Sequence, residues 1–217
     1  MQAYKKQFFD LSLAKGILRF GSFTLKSGRL SPYFFNAGGF DDGQSLSQVA
    51  RCYAQAIKAS GISFDLLFGP AYKGIPLASA TAMAIYDLYG SAMPYAYNRK
   101  EIKDHGEGGA LVGAPLAGKV LIIDDVISAG TSVRESVSLI RQAGAEPSGV
   151  AIALDRQERG QGLQSAAEEV EAQFDIPVIA VGTLSDLVSY LELHDNGQVD
   201  IKAIRRYRRE YGTAGAQ

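Results

Sequence analysis

The sequence predicts an α/β fold in which a mostly parallel sheet is flanked by helices on both faces. Short apolar segments typical of buried strands alternate along the 217 residues with longer segments of helical periodicity. Three polar or glycine-rich turns, Gly69–Gly74, Asp124–Ser132 and Asp155-Arg156, each follow a predicted strand. Because ligands bind at the carboxyl ends of parallel strands, these turns predict one shared site.

The N-terminal half shows this alternation from its first segment onward. Tyr4, Phe8 and Leu11 recur at helical spacing in a helix that should end near Gly16. Short β-like stretches on either side of Ser27-Gly28-Arg29 predict two strands joined by a turn. The predicted elements are a helix at 4–15, strands at 19–25 and 33–36, a helix at 45–60, a strand at 65–68, a helix through 89 and a strand at 93–98.

The C-terminal half begins with the strand expected at the centre of the sheet, 119–124. Its core, Val120–Ile123, is uninterrupted and apolar, as in a strand buried on both faces. The amphipathic stretch that follows predicts a helix ended by Gly144. Further strands are predicted at 149–154 and 177–181, with helical segments to about residue 211, and the closing TAGAQ segment is predicted to be disordered.

The most informative segment is VLIIDDVISAGTS, which spans Val120–Ser132. Two adjacent carboxylates, Asp124 and Asp125, end the apolar run, and a turn of small and hydroxyl residues leads into the helix. Successive backbone N–H groups in such a turn, at a helix N-terminus, form a phosphate site. The carboxylates would repel a phosphate and are better suited to sugar hydroxyls or a metal. The segment therefore predicts a pocket for a phosphorylated sugar.

Two alternatives fit part of this pattern. A phosphate-loop NTPase has a similar acidic strand, but it needs a partner segment of the form GxxxxGK[ST]. The nearest candidate, Gly69–Gly74, continues into Ile75-Pro76 and lacks the lysine and the hydroxyl. A buried strand with a polar end and no ligand is the other alternative.

Composition favours neither a nucleic acid nor a membrane as partner. The formal net charge is −1, and the basic cluster Arg205–Arg209 has acidic neighbours typical of a solvated helix face. The N-terminus lacks the apolar region of a signal peptide, and no apolar run approaches the roughly 18 residues of a membrane helix. Cys52 is the single cysteine and cannot form an internal disulfide. These features predict a cytoplasmic protein.

Four segments together indicate a family. VLIIDDVISAGTS resembles the phosphoribosyl-diphosphate (PRPP) signature of the type I phosphoribosyltransferases. With three further segments the chain resembles the orotate phosphoribosyltransferases over nearly its whole length. These segments are LKSGRLSPYFFNAG (Leu25–Gly38), GPAYKGIP (Gly69–Pro76) and RKEIKDHGEGG (Arg99–Gly109). One departure is Ser128, where the family often has Thr, but the hydroxyl is kept.

The resemblance implies a type I phosphoribosyltransferase fold over residues 1–217 as a single domain. In this family a small N-terminal hood, here largely residues 1–40, covers the base, and a mobile lid, here about residues 99–109, closes over the substrate. The implied reaction is Mg²⁺-dependent transfer of ribose 5-phosphate from PRPP to orotate, giving orotidine 5′-monophosphate and diphosphate in pyrimidine synthesis. The implied assembly is a homodimer in which each lid reaches the neighbouring protomer's site.

The resemblance also implies roles in binding PRPP. Asp124 and Asp125 would bind the ribose hydroxyls, and either could contact Mg²⁺ through water, the metal arriving with PRPP. Both are also catalytic candidates, since one of them would help to stabilise positive charge as the C1–O bond breaks. Lys103 is the leading catalytic candidate, as a cation that meets the developing diphosphate charge, with His105 as a diphosphate ligand or proton carrier. The implied PRPP-binding residues are Lys26, Tyr72, Lys73, Arg99, Lys100, Lys103, His105, Asp124, Asp125, Val126, Ile127, Ser128, Ala129, Gly130, Thr131 and Ser132.

Orotate is implied to bind Phe34, Phe35, Ser128 and Arg156. A guanidinium suits a planar carboxylated pyrimidine because it donates two parallel hydrogen bonds. The adjacent aromatics would form an apolar wall, although such pairs also occur in cores. Two rivals are the same fold acting on a purine or uracil, and a non-catalytic PRPP-binding regulator. A regulator would be expected to lose lid cations or to gain a DNA-binding segment, and the sequence does neither.

Overall fold

The computed structural model of the protein describes residues 1–25, 27–103, 109–160, 162–194, 197 and 199–216, and of residues 101–103, 109 and 216 it describes the backbone alone. The strands within this part are β1 (Leu18–Thr24), β2 (Leu30–Phe35), β3 (Leu66–Gly69), β4 (Tyr95–Lys103), β5 (Gly109–Gly113), β6 (Lys119–Ile123), β7 (Glu146–Asp155) and β8 (Val178–Thr183). The last six of these form one sheet in the order β5-β4-β3-β6-β7-β8. All pairs are parallel except β4 with β5.

Seven α-helices connect or cover these strands in the described part of the chain: α1 (Ala3–Ala14), α2 (Gly43–Ser60), α3 (Gly74–Tyr89), α4 (Thr131–Gln142), α5 (Ala166–Phe174), α6 (Leu184–His194) and α7 (Ile201–Tyr211). Helix α2 begins with a capping box between Asp42 and Ser45 and ends at Gly61 in the left-handed conformation. None of the described helices combines the length and the apolar composition that crossing a bilayer requires.

Alternate side chains of the central strands enter separate cores on the two faces of the sheet. Leu67 and Leu121 pack with apolar residues of α1, α2 and α3 on one face. Phe68 and Ile122 pack with α4 and α5 on the other. Because successive strand residues point to opposite faces, both sets are buried only when helices cover both sides. The predicted mostly parallel sheet flanked by helices is confirmed.

The first two strands form a separate antiparallel sheet that belongs to the N-terminal hood. Phe35 of β2 packs on Phe8 of α1, with ring centroids 5.9 Å apart. Tyr33 of the same strand meets Tyr207 of α7 edge to face at 6.2 Å. The two-stranded sheet is therefore anchored by aromatic contacts to α1, which precedes it within the hood, and to α7, the last α-helix.

Strand β5 and the length of β4 were not predicted. The sequence placed a strand only as far as residue 98 and the family resemblance implied a mobile lid at about residues 99–109, but β4 continues through Lys103 and β5 begins at Gly109. Tyr97 and Asn98 pair with Val112 and Leu111 of β5, so a hairpin supplies backbone partners that local composition did not reveal. Residues 104–108 lie outside the described part of the chain.

The prediction of a disordered tail is wrong for residues 213–216. Thr213 is only 2% exposed, and its backbone N–H donates to the carbonyl of Gln157 at 3.0 Å. Ala214–Ala216 then forms a short 3₁₀ helix. Small residues at the end of a sequence suggest disorder, but here a distant loop supplies their hydrogen-bond partner.

Candidate active site

The sheet has a topological switch point between β3 and β6. From β3 the chain runs outward through β4 to β5 on one side, then returns to β6, β7 and β8 on the other. Loops that leave the two central strands diverge there and open a crevice at the carboxyl ends. A cavity of about 420 Å³ occupies this position, lined by residues 71–73 and 124–133.

A larger groove of about 570 Å³ lies between α1 and α2. Its lining comes from these helices and from Lys15 and Asp42, which adjoin their ends, and Lys15 forms ion pairs with Asp41 and Asp42. The loops that leave the sheet do not contribute to it. Position and chemistry therefore favour the smaller cavity as the active site.

Two buried carboxylates end β6 and face this cavity. Asp124 accepts hydrogen bonds from the backbone N–H of Asp125 and from the Ser132 hydroxyl, both at 2.9 Å. Asp125 is paired with Lys73 Nζ at 2.6 Å. From the opposite side, the buried Tyr53 hydroxyl of α2 donates to the Asp124 carbonyl at 2.7 Å. The carboxylates are thus held in fixed orientations by the protein itself.

Burial determines the proton affinity of Asp124, which is 7% exposed. Desolvation, together with the nearby charge of Asp125, raises its pKa to about 6, although hydrogen bonds and Lys73 act in the opposite direction. Asp124 is consequently ionised near pH 7 at a cost in stability. That cost falls when hydroxyl donors or a positive charge come beside it.

The segment 124–132, called the β6 turn below, joins these carboxylates to the start of α4. Gly130 adopts a left-handed conformation with φ of 67° immediately before the helix. Arg134 donates hydrogen bonds to the Ala129 carbonyl and to Thr131 Oγ1, which braces the turn from its outer side. The first helical turn, 131–134, contains no acidic side chain. Its N–H groups therefore offer an uncompensated anion site.

Glycines bring a second turn against the end of β6. A methyl group on Gly74 would lie 2.7 Å from the Ile123 carbonyl oxygen, and one on Gly69 would lie 2.2 Å from the Gly74 oxygen. Such contacts are far inside normal van der Waals distances, so no larger residue fits at either position. This close approach is what places Lys73 beside Asp125.

Tyr72 and Lys100 stand at the outer rim of the cavity. Tyr72 is 65% exposed, and Lys100 Nζ lies 4.9 Å from its ring centroid. The Ala71–Tyr72 peptide bond is cis, and the Ala71 N–H donates to the Asn98 side chain at 2.8 Å. The rim therefore presents a cation supported by an aromatic ring.

A second constellation, Ser31, Tyr33, Arg156 and Glu158, is called the Arg156 cluster below. The Arg156 guanidinium lies against Glu158 Oε1, with Nε at 2.8 Å and Nη2 at 2.6 Å. Nη2 also donates to the Ser31 hydroxyl at 3.1 Å, and Cζ lies 4.2 Å from the Tyr33 ring centroid. The hood strand β2 and the end of β7 thereby meet around one partly buried guanidinium.

Phe34 and Phe35 point to opposite faces of β2, as neighbours in a strand must. Phe35 packs on Phe8 and belongs to the core, whereas Phe34 lies against Phe23 at 5.5 Å with Arg19 over its ring. The two rings therefore do not form one continuous wall.

Comparison with known proteins is consistent with this geometry. The sequence matches the family described as "Phosphoribosyl transferase domain" over residues 40–186. It is 60% identical to the orotate phosphoribosyltransferase of Chromobacterium violaceum, over 98% of this chain and 99% of the relative. It is 58% identical to that of Thioalkalivibrio sulfidiphilus, over 98% of this chain and 100% of the relative. The chain belongs to the orotate phosphoribosyltransferase family.

A solved structure of another family member extends the likeness to three dimensions. The orotate phosphoribosyltransferase of Francisella tularensis is 42% identical and superimposes with a TM-score of 0.86, over 95% of this chain and 99% of that chain. The family resemblance found in four sequence segments is thus confirmed for the chain as a whole.

Against the predicted site of an orotate phosphoribosyltransferase, the structure brings together the whole β6 turn with Tyr72 and Lys73 in one cavity. Phe34, Phe35 and Arg156 lie outside the lining of that cavity, in and around the hood. Lys26 and His105 lie outside the described part of the chain, and Lys103 is described only by its backbone at the end of β4.

Several residues of the site were missed by the sequence analysis. Tyr53 lies in an ordinary helical pattern and gave no signal of its bond to Asp124. Tyr33 precedes the two phenylalanines already considered, and Glu158 follows Arg156 by two positions. The spacing of Arg156 and Glu158 could have suggested an ion pair, but not the hydrogen bonds that this pair forms with Ser31 and Tyr33 of the hood.

Proposed function

We propose that this chain transfers the ribose 5-phosphate group of PRPP to orotate, forming orotidine 5′-monophosphate and diphosphate in pyrimidine nucleotide synthesis. The observation that carries the proposal is the β6 turn, where two buried carboxylates and an anion-binding helix start share one cavity. The identity of the base, orotate, is inferred from the family to which the chain belongs.

The 5′-phosphate binds at residues 126–132, on the backbone N–H groups that open α4, with hydroxyls of Ser128 and Thr131 as further donors. The Ser132 hydroxyl already donates to Asp124, so Ser132 contributes its backbone. Asp124 and Asp125 accept hydrogen bonds from the ribose hydroxyls. This division keeps the carboxylates away from the phosphate, which they would repel.

The diphosphate is bound by cations on the opposite side of the cavity. Lys73 must exchange its 2.6 Å contact with Asp125 for the diphosphate when PRPP enters. By resemblance, Lys26, Tyr72, Arg99, Lys100 and His105 belong to the same set. Lys103 is proposed as the catalytic cation, because negative charge grows on the leaving diphosphate.

The residues present fit a Mg²⁺ ion that arrives with PRPP. Among the described residues, no group of three or more His, Cys, Asp or Glu side chains converges on a point. Mg²⁺ commonly keeps several waters and binds substrate phosphates with only one or two carboxylates. Asp124 or Asp125 would hold it through water, and the bound ion would supply positive charge to the diphosphate.

Displacement at C1 of the ribose develops positive charge on the sugar as the C–O bond to diphosphate breaks. Asp124 is suited to stabilise that charge, because its ionised form is costly to bury and gains from a nearby cation. Orotate then attacks C1 directly. The proposed mechanism has no covalent intermediate between the substrate and a residue of the chain.

Orotate lies under the hood, with its carboxylate at Arg156 and its ring near Phe34, Phe35 and Ser128. Arg156 is the reason to place a carboxylated base here, since its guanidinium is partly buried and held by the hood. Because the Phe34 and Phe35 side chains point in opposite directions, we assign the contact with the base to the backbone of β2.

The homodimer proposed for the family has a suitable surface on this chain. Met83, Tyr86 and Tyr89 of α3 are 70%, 59% and 42% exposed, and Tyr95 at the start of β4 is 39% exposed. Large exposed apolar side chains on one helix are typical of an interface. The proposed lid shared between protomers, about residues 99–109, includes the end of β4 and the start of β5 at the same side of the sheet.

Residues 1–217 are proposed to act as a single phosphoribosyltransferase domain in the cytoplasm. The contact between Tyr33 in the hood and Tyr207 in α7 supports one unit. Cys52 is buried and free, which suits a reducing compartment.

The test is the loss of orotate's ultraviolet absorbance when the protein is mixed with PRPP and Mg²⁺, with uracil and adenine assayed in parallel. Consumption of orotate alone, dependent on Mg²⁺, is expected. Turnover of uracil or adenine in its place would assign another base. PRPP binding without turnover of any base would make the chain a regulator and contradict the lid assignments.

A further inference from the structure

Three hydrogen-bond donors in the Arg156 cluster converge on a single carboxylate oxygen. Arg156 approaches Glu158 Oε1 with both Nε, at 2.8 Å, and Nη2, at 2.6 Å. The Tyr33 hydroxyl donates to the same oxygen at 3.2 Å. A carboxylate bound by both Nε and Nη2 fixes the plane of a guanidinium as well as its position. Glu158 therefore determines the orientation of Arg156.

The hood restrains the guanidinium further. The Tyr33 ring packs on its face at 4.2 Å, and the Ser31 hydroxyl accepts a hydrogen bond from Nη2 at 3.1 Å. Burial raises the pKa of Tyr33 well above its usual value, so its hydroxyl remains a donor at any physiological pH. Arg156 is consequently restrained at one edge and one face before a base arrives.

Glu158 is held in turn by the end of the chain. Residues 157–159 pair with residues 211–213 through an isolated bridge between Glu158 and Gly212 and two flanking backbone hydrogen bonds of 2.8 and 3.0 Å. The loop after β7 thus gains the regularity of a short antiparallel pair. A side chain on such a segment is positioned more accurately than one on an unsupported loop.

Charge in this cluster also favours an anionic base. Arg29 Nη1 lies 3.9 Å from the second Glu158 oxygen, Oε2, and donates to the Arg159 carbonyl at 2.8 Å. These three groups, one carboxylate between two guanidinium groups, together carry a net positive charge. The side chains of Arg156 and Glu158 are only 22% and 12% exposed, so solvent screens this charge incompletely.

We propose that Glu158 is a positioning residue that aligns Arg156 for the carboxylate of the base and thereby contributes to the selection of orotate. This inference rests on the proposed function. Glu158 acts through Arg156 and is not assigned a contact with substrate. Since all three donors use Oε1, a neutral side chain that keeps this acceptor should keep the alignment.

The experiment compares Glu158→Ala with Glu158→Gln in the full chain, by orotate absorbance at saturating PRPP and Mg²⁺. Glu158→Ala is expected to raise KM for orotate about tenfold or more, since the guanidinium loses its anchor, with kcat and KM for PRPP nearly unchanged. Glu158→Gln should retain a KM within about 1.5-fold of the unmodified protein, because the amide oxygen can accept the same bonds.

Glu192→Ala is the matched control, because Glu192 also pairs with an arginine, Arg205, but on an exposed helix surface. It should leave both KM values unchanged. If Glu158→Ala does not fold, Tyr33→Phe tests the positioning role instead, because it removes one donor to Glu158 Oε1 and keeps the ring. KM for orotate should rise about threefold in Tyr33→Phe, and an unchanged KM would overturn the positioning role.

The outcomes separate the two proposals. An unmodified protein that does not consume orotate would contradict the proposed function. An active protein in which Glu158→Ala leaves KM for orotate unchanged would overturn the positioning role. Equal defects in the Ala and Gln variants would overturn it as well, since they would assign the effect to charge.

Discussion

The β6 turn is one continuous stretch of chain, residues 124–132, whereas the Arg156 cluster joins residues that are 125 positions apart. The first offers backbone N–H groups in a shape set by glycine and close packing. The second offers one guanidinium held by side chains from the hood and from the loop after β7. On the proposed assignment, main chain would bind the phosphate, which many substrates share, and side chains, which can differ without altering the fold, would bind the base that distinguishes them.

The largest expected effect tests the dependence of the β6 turn on backbone packing. Gly74→Ala places a methyl group against the Ile123 carbonyl and should cost roughly 3 kcal/mol or more, with loss of PRPP binding. Gly43→Ala is the matched control, because Gly43 also begins a helix but a methyl group there meets nothing within 4 Å. Thermal unfolding and PRPP titration of both variants measure the contrast. Unchanged stability and affinity in Gly74→Ala would show that the turn does not depend on close packing.

The next effect belongs to the Arg156 cluster. Arg156→Ala should lower kcat/KM for orotate roughly 30- to 1,000-fold, which corresponds to a loss of about 2–4 kcal/mol of binding free energy in the transition state. KM for PRPP should stay nearly unchanged. Lys58→Ala is the control, since Lys58 interacts with the Tyr89 ring at 5.6 Å on another surface. Comparable steady-state kinetics for the two variants would remove Arg156 from base recognition.

A third prediction concerns the cost of burying charge in the β6 turn. The pKa of Asp124 is raised from 3.8 to about 6, so between these values the folded protein holds a proton that the unfolded chain releases. Its contribution to stability therefore falls as pH rises from about 4 to 6, and the cost stays constant above. Asp124→Asn should be more stable than the unmodified protein by roughly 2 kcal/mol at pH 8 and similar to it at pH 4, while it loses affinity for PRPP.

Melting temperatures of both proteins between pH 4 and pH 8 measure this difference. A gap that stays constant across the range would mean that the Asp124 proton is not the cause. A variant that retained PRPP affinity would separate the carboxylate from ribose binding.

The smallest effect distinguishes two buried tyrosines near Arg156. The Tyr33 hydroxyl donates to Glu158, whereas the Tyr207 hydroxyl lies near Glu158 and Arg156 but meets hydrogen-bond geometry with no described residue. Tyr33→Phe should lower the free energy of unfolding by about 1 kcal/mol, and Tyr207→Phe should leave it unchanged or slightly higher. Chemical denaturation of the two variants tests this. A larger loss for Tyr207→Phe would mean that its hydroxyl supports the cluster.

The same contrast explains which parts of the molecule could be predicted from sequence. The β6 turn was predicted from its residues, because strand end, carboxylates, small residues and helix follow one another in the chain. Helix ends at Gly61 and near Gly90 were predictable for the same local reason. Arg156 was found by family resemblance and not from its surroundings.

What escaped prediction depends on partners distant in sequence. Glu158 became significant only when folding brought Tyr33 beside it. Strand β5 and the ordered Thr213 likewise depend on pairing with residues outside their own segments. Hydrophobic periodicity carries no information about such pairs, so the hood side of the site could not be derived from pattern alone.

The pairing of residues 211–213 with residues 157–159 has a consequence for the order in which the protein is made. The β6 turn and the strands on either side of β6 are complete once synthesis passes residue 155. The loop that carries Glu158 lacks its partner until residue 213 has left the ribosome. A nascent chain would therefore complete the residues of its proposed anion site before it gains the pairing that supports Glu158 beside Arg156.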